Sequence, residues 1–359
     1  MKRQSRRYLS ALVTVTGLFT VSLVQAQSSV TIYGVVDGGL LYTSKTSNPQ
    51  TGINSGRQVS IIDGGSSYSH FGLIGTEDLG GGVTAKFKLE SAFSIANGGL
   101  AHCNGNLFGC EAWVSIASDL GEAKMGLQFS PFFLAVYETD PRGLSFFGSG
   151  GVNFADNLFG TSIYSPSAIS YSTPKLWGVT SKLMYTFGGQ AGNSRAGRQF
   201  SASVKYEYNG LLVNAAVFDG NAGGANQTAV PSNLAAEART LGVAYAIGTV
   251  TATASFVNYK VSGSFNNNVY GAGAGWYVRP DLHIDCGIWI TSDRNHTANH
   301  SLLAALGANY LVSKRTAFYV QIGSVTNHGA MNTGLSVDGA FFSPQGTTVG
   351  ATIGMRHSF

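Results

Sequence analysis

The chain has 359 residues, of which 11% are charged, with 48 glycines beside 16 tyrosines and 21 phenylalanines. A soluble domain carries about 25% charge, so the composition argues against an ordinary soluble protein. The formal net charge is +4, but four basic residues (Lys2, Arg3, Arg6 and Arg7) and no acidic ones fall in the first 26 positions. The remainder is neutral, and nucleic-acid binding loses its main support.

Residues 1–26 read as a cleaved export signal. A basic start is followed by an apolar stretch from Leu9 to Val24 and a small-residue cleavage site at Val24-Gln25-Ala26. Residues 27–359 read as one domain. No apolar run after residue 26 approaches the ~18 residues of a membrane helix, yet glycine and aromatic content is high and charge is low. That combination points to an all-β, transmembrane antiparallel barrel.

About sixteen alternating segments of roughly ten residues follow Gln27, the length of a tilted membrane strand. In Val83 to Phe93, Val83, Ala85, Phe87, Leu89 and Phe93 face one way, and Thr84, Lys86, Lys88 and Glu90 face the other. In Leu282 to Thr291, Ile284, Cys286, Ile288 and Ile290 oppose His283, Asp285 and Trp289. Arg315 to Gly323 and the terminal run from Thr347 to Phe359 alternate in the same way. Short turns such as Asp78-Leu79-Gly80-Gly81, Asn209-Gly210 and Arg279-Pro280-Asp281 carry hairpin chemistry. Longer Gly/Asn/Ser-rich loops fall near 43–66, 94–109, 131–165, 190–198, 220–236, 261–267, 293–300 and 326–346. Seven short turns alternating with eight long loops predict a 16-stranded barrel, with the short turns periplasmic and the long loops outside.

The 131–165 loop is the longest and carries Phe132, Phe133, Val136, Phe146, Phe147, Phe154, Leu158 and Phe159. So much apolar surface suits a loop folded inward against the barrel wall. Aromatics near strand ends (Tyr42, Tyr185, Phe187, Tyr206, Tyr208, Trp276, Tyr310 and Phe359) are placed as interfacial girdles.

Three stretches, SSVTIYGVVDGG (Ser28 to Gly39), FGLIGTEDLGGGVTAKFKLES (Phe71 to Ser91) and VGATIGMRHSF (Val349 to Phe359), carry a family likeness, with a weaker match at SAISYSTPKLWG (Ser167 to Gly178). The chain resembles the general-diffusion porins of β-proteobacteria, of the Burkholderia, Bordetella and Neisseria type. The resemblance implies a homotrimer of barrels in the Gram-negative outer membrane, a third loop folded into the lumen, and passive diffusion of small hydrophilic solutes and ions. It implies contact with outer-membrane lipid and lipopolysaccharide, and an assembly signal at Phe359 read by the barrel-assembly machinery. Where the family pattern has arginines, in S-R-W-G-L-R-G-S-E-D-L-G and in L-G-R-Q, this chain has His70, Ile74 and Leu127. Its fourth strand reads Gly109-Cys110-Glu111-Ala112 where the family has G-R-Q-A. The expectation is weak anion selectivity or a tilt toward cations.

A diffusion pore needs a wet lumen and opposed charges at a constriction. Glu138, Asp140 and Asp156 are the candidates for the acidic side. Lys86, Lys88 and Lys124, with His70 titrating near neutrality, are the candidates for the basic side. Asp37, with Tyr33 and Val35, and Ile74 are placed on the lumen face. Cys103 and Cys110 flank six residues of loop two. An oxidising periplasm permits a bridge there, with two separate thiols as the alternative. Related porins latch this loop onto the neighbouring subunit. No cofactor or metal is expected; Asp293, His296 and His300 have a spacing that chelates only on a helix. A substrate-preferring channel is the alternative reading within the fold, and a barrel enzyme or an adhesin are the alternatives from other classes.

Overall fold

The computed structural model describes residues 29–158, 163–221 and 233–359. The export signal and Phe159 lie outside the described residues. The first half of the chain contains β1 (Ser29–Thr43), β2 (Gln58–Ile62), β3 (His70–Gly80), β4 (Val83–Ala92), β5 (Glu111–Ser118), β6 (Gly121–Phe129), α1 (Pro131–Glu138), α2 (Gly150–Leu158), β7 (Tyr164–Ser172) and β8 (Val179–Thr186). There follow β9 (Gln199–Tyr208), β10 (Leu211–Gly220), β11 (Ala236–Ile247), β12 (Val250–Val261), β13 (Asn266–Arg279) and β14 (Leu282–Asp293). The last elements are β15 (His300–Leu311), β16 (Thr316–His328), β17 (Thr333–Ser336), β18 (Ala340–Phe342) and β19 (Gly346–Ser358).

Successive strands pair antiparallel, and β19 pairs with both β16 and β1, which closes the sheet. Closure matters because a membrane offers no water to satisfy an open strand edge. β2 and β3 pair with successive halves of β1: Gln58–Ile62 lies opposite Gly39–Thr43, and His70–Thr76 opposite Ser29–Val35. They form one wall strand interrupted at 63–69, so the wall is 16-stranded. Part of the long loop expected at 43–66 is therefore strand. The cause lies elsewhere in the chain: Gly65 donates its N–H to the Tyr319 hydroxyl at 2.9 Å and accepts from Gln321 Nε2 at 2.8 Å. Those contacts draw the 63–69 detour off the ladder. Gly64, at φ +106°, makes the turn, and a Cβ there would collide with the Ser67 carbonyl.

Alternation sets the two faces. On β14, Ile288 and Ile290 are 42% and 48% exposed, while Trp289 between them is 2% exposed. The exposed apolar set is the membrane face, because a barrel of this length presents its apolar phase to lipid. The expected girdle aromatics Tyr42, Tyr185, Phe187, Tyr206, Tyr208, Trp276, Tyr310 and Phe359 are all exposed.

The 131–158 segment supplies the packing against the other face. Ser130 caps α1 by accepting from the Phe133 N–H at 3.0 Å, and Pro131 fits the first turn, where its missing N–H costs nothing. Phe132 is fully buried, 6.0 Å from the Phe154 ring and 6.2–6.3 Å from those of Tyr259 and Phe218. Burying a phenylalanine stabilises by roughly 1.5–3 kcal/mol. This aromatic cluster joins both helices to β10 and β12.

Candidate functional site

The 131–158 segment is tied to the buried phase of strands around the barrel. Phe132 N–H donates to Ser201 Oγ on β9 at 3.0 Å, and Asn214 Nδ2 on β10 donates to the Ala135 carbonyl at 2.8 Å. From α2, Asn157 accepts from Asn267 on β13 at 2.7 Å, and Asn153 accepts from Thr291 on β14 at 2.9 Å. The central tie is Arg142, whose side chain is 1% exposed. Its Nε meets Asp285 Oδ1 at 2.5 Å, Nη1 donates to the Phe147 and Gly148 carbonyls at 2.7 and 2.8 Å, and Nη2 donates to Gln321. Asp285 also accepts from Asn309 at 3.2 Å. A guanidinium out of water needs such a set of partners, because an unmatched buried charge is far costlier than a matched one.

The three acidic candidates have three different fates. Glu138, at the end of α1, pairs with Lys205 on β9 at 2.9 Å. Asp140 is buried and accepts from the backbone N–H groups of Arg142, Leu144 and Gly150, each at 2.9 Å. Burial raises its pKa against the pull of those hydrogen bonds. Its carboxylate is thus taken up by the turn that follows it. Asp156 sits partly buried on α2 with no hydrogen bond or ion pair among the described residues. Burial pushes its pKa up to about 6.

The basic candidates share the inward phase of their strands. Lys86 and Lys124 flank Ser115 from either side in the β4–β5–β6 register. Lys124 lies 4.0 Å from the Trp113 ring centroid, a cation–π contact. Lys88 pairs with Glu111 and, at 3.1 Å, with Glu90; Glu90 also takes hydrogen bonds from Tyr33 (2.7 Å) and Tyr68 (3.0 Å). Ile74 is paired across from Lys88, and His70 across from Val35, its Nδ1 3.1 Å from the Tyr68 carbonyl. Asp37 is buried and accepts from the Tyr319 hydroxyl at 2.7 Å and the Ser67 N–H at 3.0 Å.

Two further wall lysines, not among the candidates above, stand on the neighbouring strands. Lys182 on β8 pairs across from Ser203, and Lys205 on β9 lies between Thr180 and Asn214. The signal was present: Thr180, Lys182, Met184 and Thr186 share one phase, as do Ser201, Ser203, Lys205 and Glu207. Lys182, Lys124 and Lys86 have no ion-pair partner among the described residues.

A cavity of about 730 Å³ remains beside the segment. Its lining mixes aromatic rings, among them Tyr68, Phe133, Phe154 and Tyr319, with the polar side chains of Asp285 and Arg356. The Cys103 and Cys110 sulfurs are bonded, with Cα atoms 4.8 Å apart, and Cys286 is exposed on the membrane face. Phe359 continues the ladder, exchanging backbone hydrogen bonds with Gly34 at 3.0 and 3.2 Å. Asp293 is occupied with the N–H groups of Asn266 and Asn295, and His300 stacks on His328 at 4.4 Å, so Asp293, His296 and His300 form no common metal site.

A family model for Gram-negative porins matches residues 10–330. The chain is 26% identical to outer membrane porin protein 32 of Delftia acidovorans, over 97% of this chain and 99% of that one. It is 33% identical to an outer membrane porin protein of Bordetella pertussis over 45% of this chain and 44% of the other. Among solved structures, the anion-selective porin from Comamonas acidovorans superposes with a TM-score of 0.80 at 26% identity, over 93% of this chain and all of that one. The trimer form of OmpT from Vibrio cholerae superposes with a TM-score of 0.66 at 16% identity, over 92% and 99%, which speaks to the fold alone.

Proposed function

The chain belongs to the Gram-negative porin family, and from that premise we propose that its 131–158 segment narrows the lumen of a homotrimeric channel with a modest preference for anions. The channel itself serves passive diffusion across the outer membrane. The reading of the segment rests on its bonds to β9, β10, β13, β14 and β16. Within a closed barrel, only the interior reaches strands so far apart around the wall.

The single observation that carries the selectivity is the row of unpaired lysines. Lys86, Lys124 and Lys182 face the lumen without a carboxylate partner, whereas Glu90, Glu111 and Glu138 are each matched to a lysine. Unpaired charge lining a narrow pore sets the sign of its field. The relative from Comamonas acidovorans is described as anion-selective, and the arginine positions replaced here by His70, Ile74 and Leu127 make a weaker preference the expectation. Single-channel recording in planar bilayers with a KCl gradient tests the reading. Conductance steps in groups of three with a small anion-selective reversal potential are expected; a clear cation preference overturns it.

A second reading follows from the cavity. Its mixture of aromatic rings and hydrogen-bonding groups favours planar, partly apolar solutes over sugars of equal size. Cleavage after Ala26, contact with lipopolysaccharide, and recognition of Phe359 by the barrel-assembly machinery belong to the same proposal. So does the Cys103–Cys110 bridge as a stiffener of loop two.

A further inference from the structure

Beside His102, which lines the cavity, three side chains from three separate loops converge, His102 among them. Asp63 comes from the detour that interrupts the second wall strand, His102 from loop two, and Asp338 from the hairpin formed by β17 and β18. One ligand atom from each lies within 4.8 Å of the others. No ion pair joins His102 to either carboxylate, and neither aspartate pairs with a basic side chain among the described residues. Two carboxylates repel one another, and with an imidazole beside them they make a donor set for a cation.

Each donor is also prepared for one. Asp63 Oδ1 accepts from the Ile95 and Ala96 N–H groups at 2.8 and 3.3 Å, leaving Oδ2 uncommitted. Asp338 Oδ2 accepts from the Asp63 N–H at 2.7 Å, leaving Oδ1 uncommitted. Holding one carboxylate oxygen by a hydrogen bond so that the other is aimed is the usual outer-shell arrangement of metal ligands. The His102 ring is held by Phe146, edge-on at 5.4 Å, and by Tyr68 at 6.2 Å. Its Nε2 is buried with no hydrogen-bond partner. His102 and Cys103 both lie in the left-handed region, at φ 54° and 48°, beside the Cys103–Cys110 bridge.

We propose that Asp63, His102 and Asp338 bind one divalent transition-metal ion, which clamps the strand detour, loop two and the hairpin together at the pore mouth. One imidazole and two carboxylates suit zinc or manganese better than magnesium or calcium, which favour all-oxygen shells. Ligand bonds of about 2.0–2.2 Å require the three groups to draw inward slightly, and all three ride on loops.

The test is zinc binding by the refolded, heat-modifiable full barrel, measured by equilibrium dialysis with Zn2+. One ion per chain is expected. His102→Ala and Asp338→Asn should each weaken binding tenfold or more, while His300→Ala leaves it unchanged. Copper(II) electron paramagnetic resonance supplies a second measurement, with one nitrogen ligand expected. No stoichiometric zinc, or loss of binding in His300→Ala with retention in His102→Ala, overturns the proposal. Two coupled nitrogens would do the same, placing the ion on the stacked His300–His328 pair. If His102→Ala fails to fold, Asp338→Asn and the copper spectrum of the unmodified protein still decide it.

Discussion

Along β4 to β8, Lys86, Lys124 and Lys182 stand on the lumen face with no ion-pair partner among the described residues. Along β14 to β16, polar residues are bound to segments that cross in front of them or to β1: Asp285 to Arg142, Gln321 to Arg142 and Gly65, and Tyr319 to Asp37. On the proposed reading, these three lysines of the first wall keep their charge available to passing ions, while Lys88 beside them is matched to Glu90 and Glu111. The second uses its polar groups to anchor the 131–158 segment and the 63–69 detour. Charge count alone does not separate these uses; partners do.

Substitutions can break that contrast, and the largest effect is expected on the anchoring side. Arg142→Met leaves Asp285 buried and unmatched, costing about 3–5 kcal/mol. It should lower the temperature at which the folded band is lost in heat-modifiability gels, and raise open-channel noise as the segment loosens. Lys88→Gln is expected next. It strands Glu90 and Glu111 beside each other, at a cost of about 2–3 kcal/mol in the same assay.

Asp156→Asn should matter less and depend on pH. The folded state holds the Asp156 proton more tightly than an ordinary carboxyl of pKa 3.8 would, with the midpoint at about 6. Its contribution to stability therefore declines as pH rises from about 4 through about 6, and the burial penalty is fully present above that. Asp156→Asn should stabilise by about 1–2 kcal/mol at pH 7.5 and not at pH 4, with partial exposure holding the gain below the full shift. In the parent protein, the anion preference should rise as pH falls through 6. Smallest in stability is Lys124→Gln, which loses only the contact with Trp113, within about 1 kcal/mol. It should nonetheless shift the reversal potential toward cations, and an unchanged potential would show that the lysine row does not govern selectivity.

Much of the fold was legible because the membrane imposes it. Strands such as Leu282–Asp293 must alternate, and turns such as Asn209-Gly210 must reverse the chain. The break at 63–69 was not legible: Asp63-Gly64-Gly65-Ser66-Ser67 reads as part of a loop, and only Tyr319 and Gln321, some 250 residues away, show it lying against the wall. Lys86, Lys88 and Lys124 are readable from strand phase, and Lys182 and Lys205 carry the same signal, alternating with Leu183 and with Val204 and Tyr206. Asp140, a candidate for the acidic side, is buried and accepts from three backbone N–H groups. Asp-Pro-Arg-Gly at 140–143 is a turn sequence whose carboxylate serves nearby backbone N–H groups.

The pairing of β1 with β19 carries a kinetic consequence. Val35–Thr43 finds Gly350–Ser358 only after nearly the whole chain has been laid down, and Tyr319 reaches Asp37 across 282 positions. Contacts so distant in sequence are slow to form, because loop-closure entropy is lost before they reward it. Until they form, β1 and β19 each present a bare strand edge. The seam is therefore the step at which an unfinished barrel is most exposed to pairing with a wrong partner, and Tyr319→Phe, which removes the hydroxyl that bridges Asp37 and Gly65, should slow its closure more than it changes the finished pore.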